Sequence, residues 1–98
     1  MSFRLLVSRG PDAGRVFTLP EGLTKLGRGT TAQVKLTDRR VSREHCVFEL
    51  TNGLLEVIDS NSTGGTRVNG RPVDRVTLRP GDSVNVGDSE LSLFFDTP

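Results

Sequence analysis

Three short segments of the chain carry groups suited to holding an anion. Gly27-Arg28-Gly29-Thr30-Thr31 and Arg39-Arg40-Val41-Ser42-Arg43 set guanidinium groups beside hydroxyls, and Ser60-Asn61-Ser62-Thr63-Gly64-Gly65-Thr66 joins hydroxyls to glycine backbone. A phosphorylated side chain presents about −1.5 to −2 charges and three strong acceptor oxygens. A guanidinium answers the charge with a fork of donors, and hydroxyls and free backbone N–H groups answer the remaining lone pairs. Arg28, Ser42 and Thr63, with the backbone of Gly64 and Gly65, are that set of types. By type alone they equally suit a solvated surface, so order and spacing must decide.

Other chemistries fit these residues less well. Gly27-Arg28-Gly29-Thr30-Thr31-Ala32 matches a dinucleotide fingerprint, but no helical pattern follows to face a pyrophosphate. Ser42, His45 and Asp59 could be imagined as a hydrolase triad; the chain has one histidine and no G-x-S-x-G elbow. Arg39, Arg40 and Arg43 could touch nucleic-acid phosphates, yet Asp38 and Glu44 flank them and the chain has neither Trp nor Tyr for stacking. The sequon Asn61-Ser62-Thr63 meets no secretory signal. Cys46, the single cysteine, excludes an internal disulfide or a thiolate zinc site and reads as a small core residue. No catalytic group, metal or cofactor is expected.

The elements that must position these segments are short. Turn signals recur at Pro11-Asp12-Ala13-Gly14, Pro20-Glu21-Gly22, Asn52-Gly53, Asn69-Gly70, Pro80-Gly81-Asp82 and Gly87-Asp88. The Asn-Gly pairs supply the positive φ values of tight hairpins. Between the turns, Cys46, Phe48 and Leu50 alternate with Val47 and Glu49, and Val84 and Val86 and then Leu91 and Leu93 alternate with polar neighbours. Arg15 to Leu19 and Leu54 to Ile58 are runs of the same size. The Gly- and Pro-free stretch from Thr30 to Asn52 fits a helical stripe poorly and reads as strand, polar loop (Thr37 to Arg43), strand. The pattern predicts an all-β antiparallel sandwich with functional loops at one end. Ninety-eight residues make one domain over 1–98, with 95–98 expected to begin a linker. A net charge of +1 offers no global field for nucleic acid or an anionic membrane, and no apolar run reaches membrane-span length. A soluble, cytoplasmic monomer is expected.

Order and spacing point further. LGRGTTAQVKLTDRRVSREHCVFEL, then DSNSTGGTRVNG, then LRPGDSVNVGDSELSLFF resembles the forkhead-associated (FHA) domain from about Arg15 to Phe95. That family's pattern is Gly-Arg, then Ser-x-x-His, then an Asp-led Ser-x-Asn-Gly-Thr-x-Val-Asn-Gly segment. Here these are Gly27-Arg28, Ser42 with His45, and Asp59 through Gly70. The resemblance implies a sandwich of about eleven strands (SMAD/FHA-like) that binds phosphothreonine-containing proteins or peptides and mediates signalling interactions without catalysis. It makes Arg28 the main phosphate contact, with Ser42 and Thr63 donating hydroxyls and Gly64 and Gly65 donating backbone N–H groups. It makes Arg43 peptide-facing. Gly27, His45 and Asn69 would support the site: Gly27 ending its strand so that Arg28 points outward, His45 bracing the Ser42 loop, Asn69 forming the hairpin beyond. The pattern has Asn where this chain has Gly64, which removes one or two hydrogen bonds to the peptide main chain. The rival expectation is a phosphorylation-independent module of the same fold, using a sheet face or the apolar residues of its C-terminal strand.

Overall fold

The computed structural model describes residues 2–96. Eleven strands form two sheets: β1 (Ser2–Arg9), β2 (Val16–Leu19), β3 (Gly22–Gly27), β4 (Val34–Lys35), β5 (Cys46–Thr51), β6 (Leu54–Asp59), β7 (Thr66–Val68), β8 (Arg71–Val73), β9 (Arg75–Leu78), β10 (Ser83–Val86) and β11 (Ser89–Asp96). One sheet has the order β2-β1-β11-β10-β7-β8 and the other β4-β3-β5-β6-β9. Every pairing is antiparallel except the short β3–β4 contact.

The period of two in the sequence becomes the two faces of each sheet. Leu5, Val7, Leu91, Leu93, Val84 and Val86 point inward from one sheet, and Leu26, Phe48, Leu55 and Val57 from the other. Both Asn-Gly pairs adopt left-handed backbone, with φ 51° and 81° at Asn52-Gly53 and 52° and 82° at Asn69-Gly70. That geometry matches the twist of the strands they join.

Three expectations are corrected. Residues 95 and 96 do not begin a linker: Phe95 pairs with Phe3 and Asp96 with Ser2, and the two phenyl rings meet edge to face at 4.9 Å. Thr97 and Pro98 lie outside the described residues. The C-terminal strand offers little apolar surface, because Leu91 and Leu93 are buried and Phe95 alone of its large hydrophobic residues is exposed. The strand expected after Thr30 shrinks to Val34–Lys35, because residues 28–33 turn back on themselves, with Ala32 N–H donating to Gly29 C=O.

β3, β5 and β6 carry three loops to one end of the sandwich: β3–β4 (28–33), β4–β5 (36–45) and β6–β7 (60–65). The middle loop is long, and it is stapled from both sides. Buried Asp12 accepts from Thr37 N–H at 2.7 Å, and buried Asp38 accepts from Arg40 N–H, Asp88 N–H and the Ser89 hydroxyl at 2.9, 2.8 and 2.7 Å. These bonds offset the cost of burying two carboxylates and fix the loop to two turns, β1–β2 and β10–β11, that lie side by side at one end of the six-stranded sheet.

Candidate functional site

The three loops meet through a small number of hydrogen bonds. Arg28 follows β3, and its N–H donates to Ser42 C=O at 3.0 Å while Gly29 N–H donates to Arg43 C=O at 3.1 Å. Arg28 Nε then donates to Val41 C=O at 3.0 Å. The bond orients the guanidinium and leaves both terminal nitrogens without a hydrogen bond among the described residues. Ser42 Oγ accepts from Thr63 N–H at 3.1 Å, joining the second loop to the third. Because the oxygen accepts there, the Ser42 proton is free to be donated.

His45 locks the same junction from beneath. Its ring is 0% exposed. Nδ1 accepts from Ser42 N–H at 3.0 Å, so Nε2 carries the hydrogen and donates to Gly65 C=O at 2.8 Å. The β6–β7 loop is also held by Asp59, which accepts from Ser62 Oγ (2.6 Å), Ser62 N–H (3.1 Å) and Thr66 Oγ1 (2.7 Å). Asn61 takes a left-handed φ of 58° to complete the loop, a conformation Asn tolerates better than most residues.

The result is a cup of about 390 Å³ lined by Arg28, Arg39, Arg40, Val41, Ser42, Thr63 and Gly64. Four of the six residues expected to bind phosphopeptide therefore share one cavity. The Gly64 N–H makes no hydrogen bond among the described residues. The Gly65 N–H is committed to Ser62 Oγ at 3.0 Å, so Gly65 serves the loop through its amide and carbonyl. Arg43 does not line the cup; it faces a neighbouring hollow of about 260 Å³ with Lys25, Gly29, Thr30, Thr31 and Glu44. Asn69 is not beside the cup either. It binds Asp82 and Ser83 through its amide at the other end of the sandwich, because β7 carries the chain away from the loops before the turn.

Gly27 is needed for closeness. A Cβ there would run into the Arg43 carbonyl oxygen. At Gly64 a Cβ would meet only Arg40 O, at 3.9 Å, so the loop has room for the family's Asn. Sequence reading missed the Val41 carbonyl, the Asp38 and Asp59 staples and the presence of Arg39 and Arg40 in the cup. Asp59-x-x-Ser62 was a readable sign, since Asp commonly bonds a backbone N–H a few residues on. A larger concavity of about 650 Å³ lies outside these loops, on the outer face of the six-stranded sheet, where Arg9 and Arg67 mix with Asp88 and Glu90. Its mixed signs suit an anion less well than the cup.

Two electrostatic facts bear on chemistry. Burial pushes the Cys46 thiol up to about 12, with the Asp59 charge adding, so it is protonated and inert. Burial raises Asp59, but hydrogen bonds from the Ser62 hydroxyl, the Thr66 hydroxyl and Ser62 N–H outweigh it and leave the group below its ordinary value. Asp38 follows the same pattern, with burial opposed by Ser89, Arg40 N–H and Asp88 N–H. A carboxylate lowered in the fold stabilises fully above its unfolded value, about 3.9. That contribution is lost as pH falls through the folded value. The melting temperature should therefore hold above about pH 5 and drop below about pH 4. Asp38→Asn with Asp59→Asn should start lower and flatten that drop; an unchanged acid slope in calorimetry would contradict the two staples.

Comparison with known proteins gives this end of the molecule its relatives. The FHA domain family model matches residues 24–87, more than half of the chain. Glycogen accumulation regulator GarA of Mycobacterium tuberculosis is 42% identical over 87 residues, 89% of this chain and 54% of that protein. An oxoglutarate dehydrogenase inhibitor of Corynebacterium glutamicum is 38% identical over 87 residues, 89% of this chain and 61% of that one. The chain thus spans little more than half the length of these curated relatives. Among solved structures, one from a study of phosphothreonine-dependent FHA domain interactions is 35% identical, with a TM-score of 0.91 and full coverage of both chains. The FhaA FHA domain, complexed with the intracellular domain of Rv3910, is 37% identical, with a TM-score of 0.87 over 94% of this chain and 99% of that one. With the Gly-Arg, Ser-x-x-His and Asp-led loop segments all inside the matched span, and a two-sheet fold that superposes along its length, the chain belongs to the FHA domain family.

Proposed function

We propose that the chain is a non-catalytic reader of phosphothreonine that brings a phosphorylated protein to the polypeptide carrying it, acting as a monomer in the cytoplasm. No helix in the described residues is long and apolar enough to cross a membrane. The observation that carries the reading is the cup itself: the Arg28 guanidinium is aimed by the Val41 carbonyl, and the Ser42 hydroxyl is poised by Thr63 N–H, around one opening. Arg28 would fork to two phosphate oxygens, Ser42 and Thr63 would donate hydroxyls, and the uncommitted Gly64 N–H would add a backbone donor. Arg43, outside the cup, would meet the peptide alongside. Charge-assisted bonds of this kind contribute ~1.5–3 kcal/mol each. Ordering and desolvation offset much of the sum, so micromolar affinity is expected, about −8 kcal/mol.

The rival, a phosphorylation-independent interface on a sheet face, finds no broad apolar platform among the described residues. On the outer face of the five-stranded sheet, exposed Leu23 and Leu54 are separated by Glu49 and Glu56, and Arg75 pairs with both glutamates at 3.3 and 2.7 Å. Calorimetric titration with a phosphothreonine peptide and its unmodified twin separates the two readings. Binding should require the phosphate, and Arg28→Ala should weaken it roughly 10- to 100-fold. Arg28→Lys should resemble the alanine variant more than the wild type, since a point charge cannot replace the planar fork. Equal affinity for both peptides would sink the proposal.

A further inference from the structure

The cup holds more cation than one phosphate contact requires. Arg39 and Arg40 line the same wall as Arg28. Arg75 is held by Glu49 and Glu56, Arg4 by Asp96 at 3.1 Å, and Arg15 by Asp12 and the Lys35 carbonyl, while Arg9, Arg43, Arg67, Arg71 and Arg79 have no ion pair among the described residues. What sets Arg39 and Arg40 apart is that they line the cup with Arg28. The Arg39 guanidinium makes no ion pair or hydrogen bond among the described residues. That of Arg40 has a single ion pair, to Asp88 at 3.5 Å, with the two side chains 77% and 64% exposed. Such a pair is worth little in water and exchanges readily for a better partner. The nearby Asp38 carboxylate is buried against Asp88 N–H and the Ser89 hydroxyl; it lies close enough to feel the Arg40 charge but forms no ion pair with either guanidinium.

The backbone beneath these two side chains is fixed. Arg40 N–H donates to Asp38 Oδ1, and Val41 N–H donates to Asp38 C=O at 3.1 Å. The Val41 carbonyl that aims Arg28 is one residue from Arg40, so the Arg28 guanidinium and the Arg40 backbone are neighbours by construction. Gly64, across the opening, approaches the Arg40 carbonyl.

We propose that Arg39 and Arg40 form a second anion subsite within the cup, taking a phosphate or carboxylate that the peptide carries one or two residues from its phosphothreonine. The inference rests on the phosphothreonine reading above and names the ligand class more narrowly: doubly anionic segments. On reaching the ligand, Arg40 leaves Asp88 for the stronger acceptor, and Arg39 gains a counter-ion.

The test uses one peptide scaffold in four forms: unphosphorylated with an Asp nearby, phosphothreonine with neutral neighbours, phosphothreonine with Asp at positions −2 to +2 in turn, and phosphothreonine with a second phosphorylated residue at those positions. The wild type should bind the best doubly anionic form roughly 5- to 20-fold tighter than the singly phosphorylated one. In Arg39→Ala with Arg40→Ala that ratio should fall below about twofold. It should persist in Arg71→Ala with Arg79→Ala, which removes the same charge from the end of the sandwich away from the loops. The Asp and diphosphorylated arms show which source of the second anion is preferred. A wild type that binds the singly phosphorylated peptide with no gain from any second anion overturns the subsite alone, as does a gain that survives the loss of Arg39 and Arg40. Failure to bind any phosphorylated form overturns the phosphothreonine reading and the subsite with it.

Discussion

His45→Ala should lower the melting temperature by roughly 15–30 °C, the largest change expected from any single substitution near the cup. The ring is fully enclosed and serves two loops at once, accepting from Ser42 N–H and donating to Gly65 C=O. Alanine leaves both backbone groups without their partner, at ~1–3 kcal/mol for each that stays buried. The space vacated by the ring adds a packing loss of similar size. These costs overlap, and about 3–5 kcal/mol is a reasonable total against the 5–15 kcal/mol that holds a typical domain together. Because the ring joins the Ser42 loop to the Gly65 loop, the fraction that remains folded should also bind phosphopeptide poorly. A calorimetric melt within a few degrees of wild type would mean that the two loops hold together without the imidazole.

Gly27→Ala is the second. An added methyl group is usually a small change, and Gly27 does not have a positive φ that would strain alanine. The difficulty is contact. The new carbon would overlap Arg43 O and lie 2.8 Å from Arg43 C and 3.1 Å from Ser42 O. All three are backbone atoms, so no rotamer change relieves the overlap. The end of β3 and the Ser42–Arg43 segment must part, and the Arg28 N–H to Ser42 C=O and Gly29 N–H to Arg43 C=O bonds stretch with them. A loss of about 3 kcal/mol is expected, with peptide binding falling further than stability because Arg28 and Ser42 separate. Gly64→Ala is the matched contrast. Its nearest contact at 3.9 Å is ordinary van der Waals distance, so denaturant midpoints should differ widely between the two variants. Similar midpoints would contradict the close approach at Gly27.

The strands that were readable from sequence are those whose chemistry repeats with the pleat. Leu91 and Leu93, Val84 and Val86, and Cys46 and Phe48 all face inward as their alternation requires. β3 hides its pattern: Thr24 is buried and Leu23, one residue before it, is 61% exposed, so hydrophobicity points to the wrong face. The site shows the same division. Arg28, Ser42, Thr63 and Gly64 were legible by type and order, because a phosphate needs those donors. The parts made of backbone were not: nothing in the letter Val announces that the Val41 carbonyl will aim a guanidinium. Asn69 forms the hairpin beyond the loop as its place in the pattern implies, but three residues of β7 carry it away from the cup, and its side chain holds Asp82 and Ser83 instead. Gly27 does end β3 as its place in the pattern implies, but the sequence does not announce that a neighbouring loop's backbone fills the space beside it.

Joint action of groups from three separate loops on one phosphate is what makes the cup a phosphopeptide site. It is tested most directly by titrating isotope-labelled protein with the phosphothreonine peptide and with its unmodified twin, and following each backbone amide by NMR. The phosphorylated peptide alone should shift Arg28, Ser42, Thr63 and Gly64, in parallel and with a common dissociation constant. Shifts of equal size with both peptides, or shifts centred on the outer sheet around Arg67 and Asn85 while the cup stays unmoved, would contradict it.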